Sequence, residues 1–355
     1  MKTVTPARIR RLEALLSDAR RVCIVVHTHP DGDAVGSGVA LLAYLRGCQG
    51  LAVDLLLPDP AASVLDFLLP ENGVTLASAD PAGAVSRIAG CDLLFCLDMN
   101  GPGRAGDLEA ALRASAARKV LVDHHPNPEA DWFDLAFSET EVSSASELLY
   151  RVLLALPGVG RADRLPMEVL TPLMAGMTTD TNNFANSVFP STLRMASELL
   201  AAGVDRDALL DALFNSYGES RFRAMGCFLD RLMHITPDGV AYAILDRRTQ
   251  AEFGISEGDT EGFVNLPLGI GRVRLSVFLR EDEGHFRVSV RSKRGVAANR
   301  LAAEAFHGGG HACAAGGKLH FPQDIPDREL AAQYVETVTA RFMRNEAPSQ
   351  DTDRI

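Results

Sequence analysis

The stretch Val22 to Ser37, VCIVVHTHPDGDAVGS, decides the fold. It opens on an unbroken apolar, β-branched run, the pattern of a strand covered on both faces. The run ends in His27-Thr28-His29-Pro30-Asp31-Gly32-Asp33, and residues 33–47, DAVGSGVALLAYLRG, then read as a helix ended by glycine. A strand, a polar turn and a helix make a parallel α/β unit, whose ligands gather at strand carboxyl ends.

The same grammar recurs outward. Apolar runs stand at LAVDLLLP from Leu51, CDLLFCLDMN from Cys91 and KVLVDHH from Lys119, and SSASELLYRVLLAL from Ser143 reads as a helix with serine near its start. The expected fold class is therefore α/β, a mainly parallel sheet flanked by helices. Residues 191–234 show helical periodicity without strand signals. Beyond them GVAYAILD, RVRLSVFLRE and HFRVSVRSKR read as strands, the last two as an antiparallel hairpin. The Ala-rich helix VAANRLAAEAF then leads into HGGGHACAAGG, which predicts a smaller α+β domain and a cleft between the two. The boundaries read as 1–190, a helical connector 191–234, a second domain 235–345 and a flexible polar tail 346–355.

Composition narrows the function. The 355 residues carry 35 Lys+Arg against 46 Asp+Glu, a net charge of -11, which argues against long duplex DNA gripped by a basic surface. Taken alone, that charge points to an enzyme of small molecules. No apolar run reaches the roughly 20 residues that span a bilayer, so no membrane association is expected. The charged N-terminus and six cysteines without a CxxC pair point to the reducing cytoplasm. Cys23, Cys91 and Cys96 lie in apolar strands and read as small hydrophobes.

Acids and imidazoles cluster where the strands end: His27 to Asp33, Asp98-Met99-Asn100, Asp123-His124-His125, and Asp180 after the apolar helix LTPLMAGM. An aspartate after a strand also serves as the N-cap of the next helix, and a buried imidazole also serves as a satisfied core residue. Asp31 and Asp33 resist that reading, because two carboxylates one residue apart repel unless a cation lies between them. The four aspartates Asp31, Asp33, Asp98 and Asp180 match the charge of two divalent ions. Such a pair clamps the attacking and leaving oxygens of a displacement at phosphorus. Imidazoles mixed with carboxylates, without clustered thiolates, favour Mn²⁺.

HTHPDGDAVGS, DMN, DHHP and TTDTNNF stand in the order of the four motifs of the DHH phosphoesterase superfamily, which the chain resembles. HGGGHACAAGG resembles the glycine-rich signature of its DHHA1 domain. One DHH domain followed by one DHHA1 domain is similar to the NrnA-type oligoribonuclease and pAp phosphatase group. The resemblance implies that His27, Asp31 and Asp98 hold one metal, and that Asp33, His124, Asp180 and a bridging Asp98 hold the second. It implies that Asp123 fixes the loop or an imidazole tautomer and that His125 faces the scissile phosphate. His29 matches no ligand position.

The C-terminal part carries the opposite charge. From Gly271 to His320 nine Lys+Arg face four acids, a local +5 that leaves -16 for the rest. RSKRG reads equally as a solvated hairpin end. Beside Gly308-Gly309-Gly310-His311, whose backbone can approach a phosphate closely, a phosphate-gripping role gains. The resemblance implies Arg291 and His311 on the substrate phosphate, Gly309 and Gly310 shaping the loop, and Ser292 and Asn299 as further candidates. His234, His285 and His320 read as surface or structural.

The expected function is a Mn²⁺-dependent phosphodiesterase cleaving short single-stranded RNA or dinucleotides to 5'-mononucleotides, with pAp as a further substrate. The resemblance makes a homodimer the expected assembly. A cyclic-dinucleotide phosphodiesterase of the same superfamily and, from another class, a non-catalytic nucleotide sensor remain alternatives. Membrane-anchored cyclic-di-AMP hydrolases need sensor and membrane segments that the sequence does not show.

Overall fold

The protein is described from a computed structural model covering residues 2–255 and 258–346. The tail expected over 346–355 lies outside these from residue 347 onward. Strands β1 (Arg21–Val25), β2 (Ala52–Leu57), β3 (Val74–Leu76), β4 (Leu93–Leu97), β5 (Arg118–Asp123) and β6 (Leu135–Ser138) form one parallel sheet in the order β3-β2-β1-β4-β5-β6. The four expected strands occupy its centre. β3 and β6 add its edges and have no apolar run to announce them.

Alternation along each strand supplies two cores. Val22 and Ile24 of β1 join Phe95, Val120 and Val122 under α1 (Pro6–Asp18), α2 (Gly32–Ala43), α5 (Ala145–Ala155) and α6 (Met167–Asp180). Cys23 and Val25 face the other way, with Leu94, Cys96 and Leu121, under α3 (Pro81–Gly90) and α4 (Glu109–Ala114). Each fully buried Val or Leu contributes about 1.5–3 kcal/mol. The cysteines of these strands pack as ordinary small apolar groups.

The chain divides into two compact units, Met1–Ser216 and Tyr217 onward. Of the helical stretch, Pro190–Ala201 and Arg206–Phe214 belong to the first unit and Glu219–Cys227 to the second. The second unit holds a mixed sheet of β7 (His234–Ile235), β8 (Val240–Leu245), β9 (Leu275–Glu281), β10 (His285–Ser292), β11 (Gly309–His311) and β12 (Ala314–His320), in the order β11-β12-β10-β9-β8-β7. β9 and β10 form the expected antiparallel hairpin, with Arg287 opposite Arg280. One sheet face is packed by the helices Ala298–Ala305 and Ala331–Glu346 through Val288, Val290, Leu301 and Val335. The glycine-rich segment, expected as a loop, is a pair of strands: Gly309–His311 runs antiparallel to the start of β12.

In the first unit α2 lies directly against α6. A Cβ on Gly36 would sit 2.5 Å from the Pro172 carbonyl oxygen, and one on Gly176 would sit 2.1 Å from Ser146 Oγ and 2.9 Å from Asp33 Oδ1. Only hydrogen fits at these positions. Because the obstruction at Gly36 is backbone, Gly36→Ala should separate the helices and cost roughly 1–3 kcal/mol. Chemical denaturation of the two proteins side by side measures this, and an unchanged midpoint would contradict the packing described.

Candidate metal centre

His27 follows β1, Asp98 follows β4 and His124 follows β5, so three adjacent strands deliver side chains to one edge. The strand order reverses between β1 and β4, where open α/β sheets leave a crevice for ligands. Asp98 sits in the left-handed region, φ 55°, its N–H donating to the Val122 carbonyl at 3.0 Å. That turn, tolerated better by aspartate than by most side chains, directs the carboxylate inward, where only 2% of the residue is exposed.

The two oxygens of Asp98 face different partners. Oδ2 lies 3.4 Å from His27 Nε2, whereas Oδ1 lies 3.4 Å from His124 Nε2 and 3.5 Å from His125 Nδ1. His27 Nδ1–H donates to the Thr28 carbonyl at 2.8 Å. A carbonyl can only accept, so the neutral ring presents the Nε2 lone pair to Asp98 and to Asp31 Oδ1, 3.8 Å away. On the other side His124 Nε2 stands 3.6 Å from Asp180 Oδ2 and 3.9 Å from Asp33 Oδ2. Separations of 3.4 to 3.9 Å exceed good hydrogen bonds. They approach the ~3.0–3.6 Å between ligands sharing an ion with bonds of about 2.1 Å.

Two groups thus fit a divalent ion: His27 with Asp31 and Asp98, and Asp33 with His124 and Asp180, Asp98 lending its second oxygen to the latter. Among the described residues the buried side-chain oxygens without a hydrogen-bond partner are Asp98 Oδ1, Asp123 Oδ2, Ser146 Oγ, Glu147 Oε1 and Thr178 Oγ1. All belong to the ligand segments or adjoin them in sequence or space. Such concentration is what a site designed around external positive charge leaves behind.

Local structure holds each ligand. Asp31 caps α2, its Oδ1 accepting from the N–H groups of Asp33 and Ala34 at 3.0 and 3.1 Å, so capping and a place in the metal group coexist. Asp33 is gripped by the first turn of α5, accepting from Ala145 N–H at 2.6 Å and Ser146 N–H at 2.9 Å. Asp180 is the last residue of α6. Burial pushes the Asp33 carboxyl up to about 7, aided by the charge on Asp98 and opposed by His124. Burial likewise raises Asp180. For His124 burial acts downward but is outweighed by Asp98, Asp180 and Asp33, which lift it to about 10. For Asp98 burial acts upward and is outweighed by His124 and His27, holding it well below the carboxylate range.

Asp123, fully buried at the end of β5, accepts from His125 Nδ1–H at 2.8 Å. The other ring nitrogen, Nε2, accepts from the Arg104 guanidinium at 2.9 Å. A guanidinium only donates, so His125 is the neutral Nδ1–H tautomer. The sequence reading lacks Arg104 altogether; its sole signal is a basic residue in the glycine turn GPGR after DMN. It reaches the site because Thr28 N–H donates to the Arg104 carbonyl at 2.8 Å, tying that turn to the end of β1.

In the second unit, Ala314 of β12 pairs with Arg291 on one side and His311 on the other, so all three project from one face of the sheet. With strands about 4.8 Å apart, Arg291 and His311 stand two strands from each other. Gly309 and Gly310 expose their backbone in β11, and Gly310, at φ 139°, leaves no room for a Cβ, which would lie 2.6 Å from the Ala314 carbonyl oxygen. The Ser292 hydroxyl is buried and donates to the Val296 carbonyl at 2.6 Å, closing a turn. Asn299 lies in the first turn of the helix Ala298–Ala305, its Oδ1 accepting from Arg300 N–H at 2.9 Å.

The sequence matches the DHH family, N-terminal domain, over residues 21–177 and the DHHA1 domain over residues 238–336. A protein of Thermus thermophilus named bifunctional oligoribonuclease and PAP phosphatase NrnA is 32% identical over 304 residues, 84% of each chain. A cyclic-di-AMP phosphodiesterase of Geobacillus thermodenitrificans, GdpP, is 27% identical over 93% of this chain and 49% of its own. The crystal structure of an exopolyphosphatase-related protein from Bacteroides fragilis superposes with a TM-score of 0.89 at 33% identity, covering 98% of this chain and 100% of that one.

The titrations set a direction for pH. Without ions the folded protein holds protons on Asp33 and His124 more tightly than the unfolded chain does. Their contribution to stability is full at low pH. It is lost between 3.8 and about 7 for Asp33, and between 6.5 and about 10 for His124. Ions displace these protons, so the Tm difference between Mn²⁺-loaded and chelated protein should widen from about pH 6 to about pH 8.5. Differential scanning calorimetry measures it; a constant or shrinking difference counts against Asp33 and His124 as ligands.

Proposed function

The chain belongs to the DHH family and carries a DHHA1 domain, and from that premise we propose that it is a Mn²⁺-dependent phosphodiesterase degrading short oligoribonucleotides and linear dinucleotides to 5'-mononucleotides, with pAp as a second substrate. Enzymes of this family are hydrolases of phosphoric ester bonds, which sets the reaction class. The observation that carries the reading is the geometry of Asp98, whose two oxygens face two separate His/Asp groups. The Thermus relative, matched over 84% of both chains, supports the choice of short RNA and pAp.

In this reading His27, Asp31, Asp33, Asp98, His124 and Asp180 hold the two ions. When bound, these supply activation of water and neutralisation of charge on the phosphate. Asp123 keeps His125 in one tautomer by accepting its Nδ1–H. Arg104 adds a fixed cation beside that ring, suited to charge developing on a non-bridging phosphate oxygen. Arg291 and His311 of the second unit grip the terminal phosphate, with the open backbone of Gly309 and Gly310 allowing close approach. Asn299 lies beside them in sequence order, whereas Ser292 contributes by shaping the turn that follows Arg291. The enzyme acts in the cytoplasm as a homodimer on a substrate short enough that no basic track along a duplex is needed.

The cyclic-dinucleotide reading is the second one, favoured by the 27% identity to a cyclic-di-AMP phosphodiesterase. A non-catalytic sensor is the weaker alternative, because both metal groups keep every ligand. Turnover of pApA, pAp and cyclic-di-AMP with Mn²⁺, measured side by side, separates them. The expectation is rapid cleavage of pApA, release of phosphate from pAp and much slower opening of the cyclic compound; a preference for cyclic-di-AMP would replace the first reading by the second.

Two substitutions probe the roles. Asp98→Ala should lower kcat by about a thousand-fold or more while the fold persists. Arg104→Ala should cost about a hundred-fold in kcat. Steady-state kinetics with circular dichroism checks both, and near-normal turnover in either mutant removes that residue from the mechanism.

A further inference from the structure

Three histidines outside the site converge on the second unit. His307 follows the helix Ala298–Ala305, His320 ends β12, and His285 begins β10 directly opposite His320. Their rings lie close together, His307 to His320 at 5.8 Å and His285 to His320 at 5.6 Å between centroids. One carboxylate serves two of them: Asp324 Oδ1 is 2.8 Å from His307 Nε2, and Oδ2 is 3.4 Å from His320 Nδ1. Asp324 is further fixed by accepting from His320 N–H at 2.8 Å, through the turn that brings residues 320 and 324 together.

We propose that His307, His320 and Asp324 form a second metal-binding site, confined to the C-terminal unit and taking a borderline transition ion such as Zn²⁺. Each residue offers one donor atom, and the three atoms lie within 4.8 Å of one another. Ligands of a tetrahedral ion with bonds of about 2.0 Å stand about 3.3 Å apart. His320 Nδ1 lies 3.4 Å from Asp324 Oδ2 and His307 Nε2 lies 2.8 Å from Asp324 Oδ1, so a small rotation of the carboxylate brings one oxygen to such a separation from both rings. Two imidazoles and one carboxylate suit zinc rather than magnesium or calcium, which demand a shell of oxygens. Asp282, 3.9 Å from His285 Nε2, is engaged by Arg287 Nη2 at 3.1 Å. The exposed His307 ring and the half-exposed His320 ring leave the fourth position to water, with the His285 ring tilted against His320 beside it.

His307 adopts φ 48°, a left-handed conformation unusual for a side chain of this size, and it is this turn that aims its ring at Asp324. An ion here ties the residue that enters Gly308-Gly309 to the far end of β12, and so braces the strand pair that presents His311. The metal site itself does not depend on the phosphoesterase reading.

The test is zinc stoichiometry of the full-length protein. Chelator-stripped wild type, His320→Ala and Asp324→Asn are equilibrated at low micromolar free Zn²⁺, desalted and analysed for bound metal; the six ligands of the first unit stay intact in all three. Wild type should retain one Zn²⁺ per chain more than either variant, at matching circular dichroism. Equal content in all three overturns the proposal. His307→Gln, at an exposed ring, replaces either variant that fails to fold and must show the same loss of one equivalent. With Co²⁺ in place of Zn²⁺, the visible absorption of the additional site should vanish in the same variants.

Discussion

The first unit depends on one carboxylate held inside the protein with imidazoles as its charged neighbours. Asp98 is 2% exposed, its Oδ1 has no hydrogen-bond donor, and the groups around it are imidazoles rather than Lys or Arg. Removing an ionised carboxylate from water costs several kcal/mol after relaxation. The imidazoles settle that cost in one of two ways. They take up protons, which is the direction in which His27 and His124 are shifted, or they turn lone pairs to a shared ion and release those protons. Folding and ion binding are therefore linked through the same few atoms. A sheet edge that would be a defect in a structural protein becomes a receptor for divalent charge.

The helices around the sheet answer that constraint. Asp33 lies on α2 and Asp180 on α6, and they can flank His124 only because glycines let the two helices touch along Gly36 and Gly176. α5 then contributes its first turn, whose free N–H groups hold the Asp33 carboxylate and whose dipole favours negative charge. The start of α5 is itself fixed by buried Glu147, whose Oε2 accepts from Ser143 N–H, Ser143 Oγ–H and Thr192 Oγ–H at 3.0, 2.7 and 2.7 Å. Support thus runs from the helix Pro190–Ala201 through Glu147 to Asp33, so a residue far from the ions in sequence sets the position of a ligand.

What the sequence reveals and what it hides follow from how far each signal reaches. The central strands are legible because burial on both faces demands unbroken apolar runs such as VCIVV and LLFCL, and the turn residues after them carry the ligands. The edges β3 and β6, three and four residues long, need no such run and leave no pattern. HGGGH reads as a loop because glycine has little strand propensity. It becomes β11 only because β12 supplies partners, a pairing that tertiary context imposes. Arg104 is invisible for a related reason: its contact with His125 joins residues 21 apart, and its placement depends on a main-chain bond to Thr28. The bond from the Ser292 hydroxyl to the Val296 carbonyl is equally hidden, because it forms only once the chain turns after Arg291.

The charge of -11 is the feature most altered by the structure. A mean value describes encounter at long range, yet salt screens such fields beyond about 8 Å at physiological ionic strength. Within that distance a phosphate meets particular groups rather than the average. Four aspartates of the first unit lie with His27 and His124 in the groups that fit divalent ions, which cancels their charge locally. Arg291 and His311 share one face of the second sheet with Ala314 between them, across β10, β12 and β11, and Arg280, Arg287 and Lys318 form a second row across β9, β10 and β12. An acidic mean is therefore compatible with local groups that favour a phosphate, the divalent ions that the first unit fits and the Arg/His face of the second, because neither is described by the average.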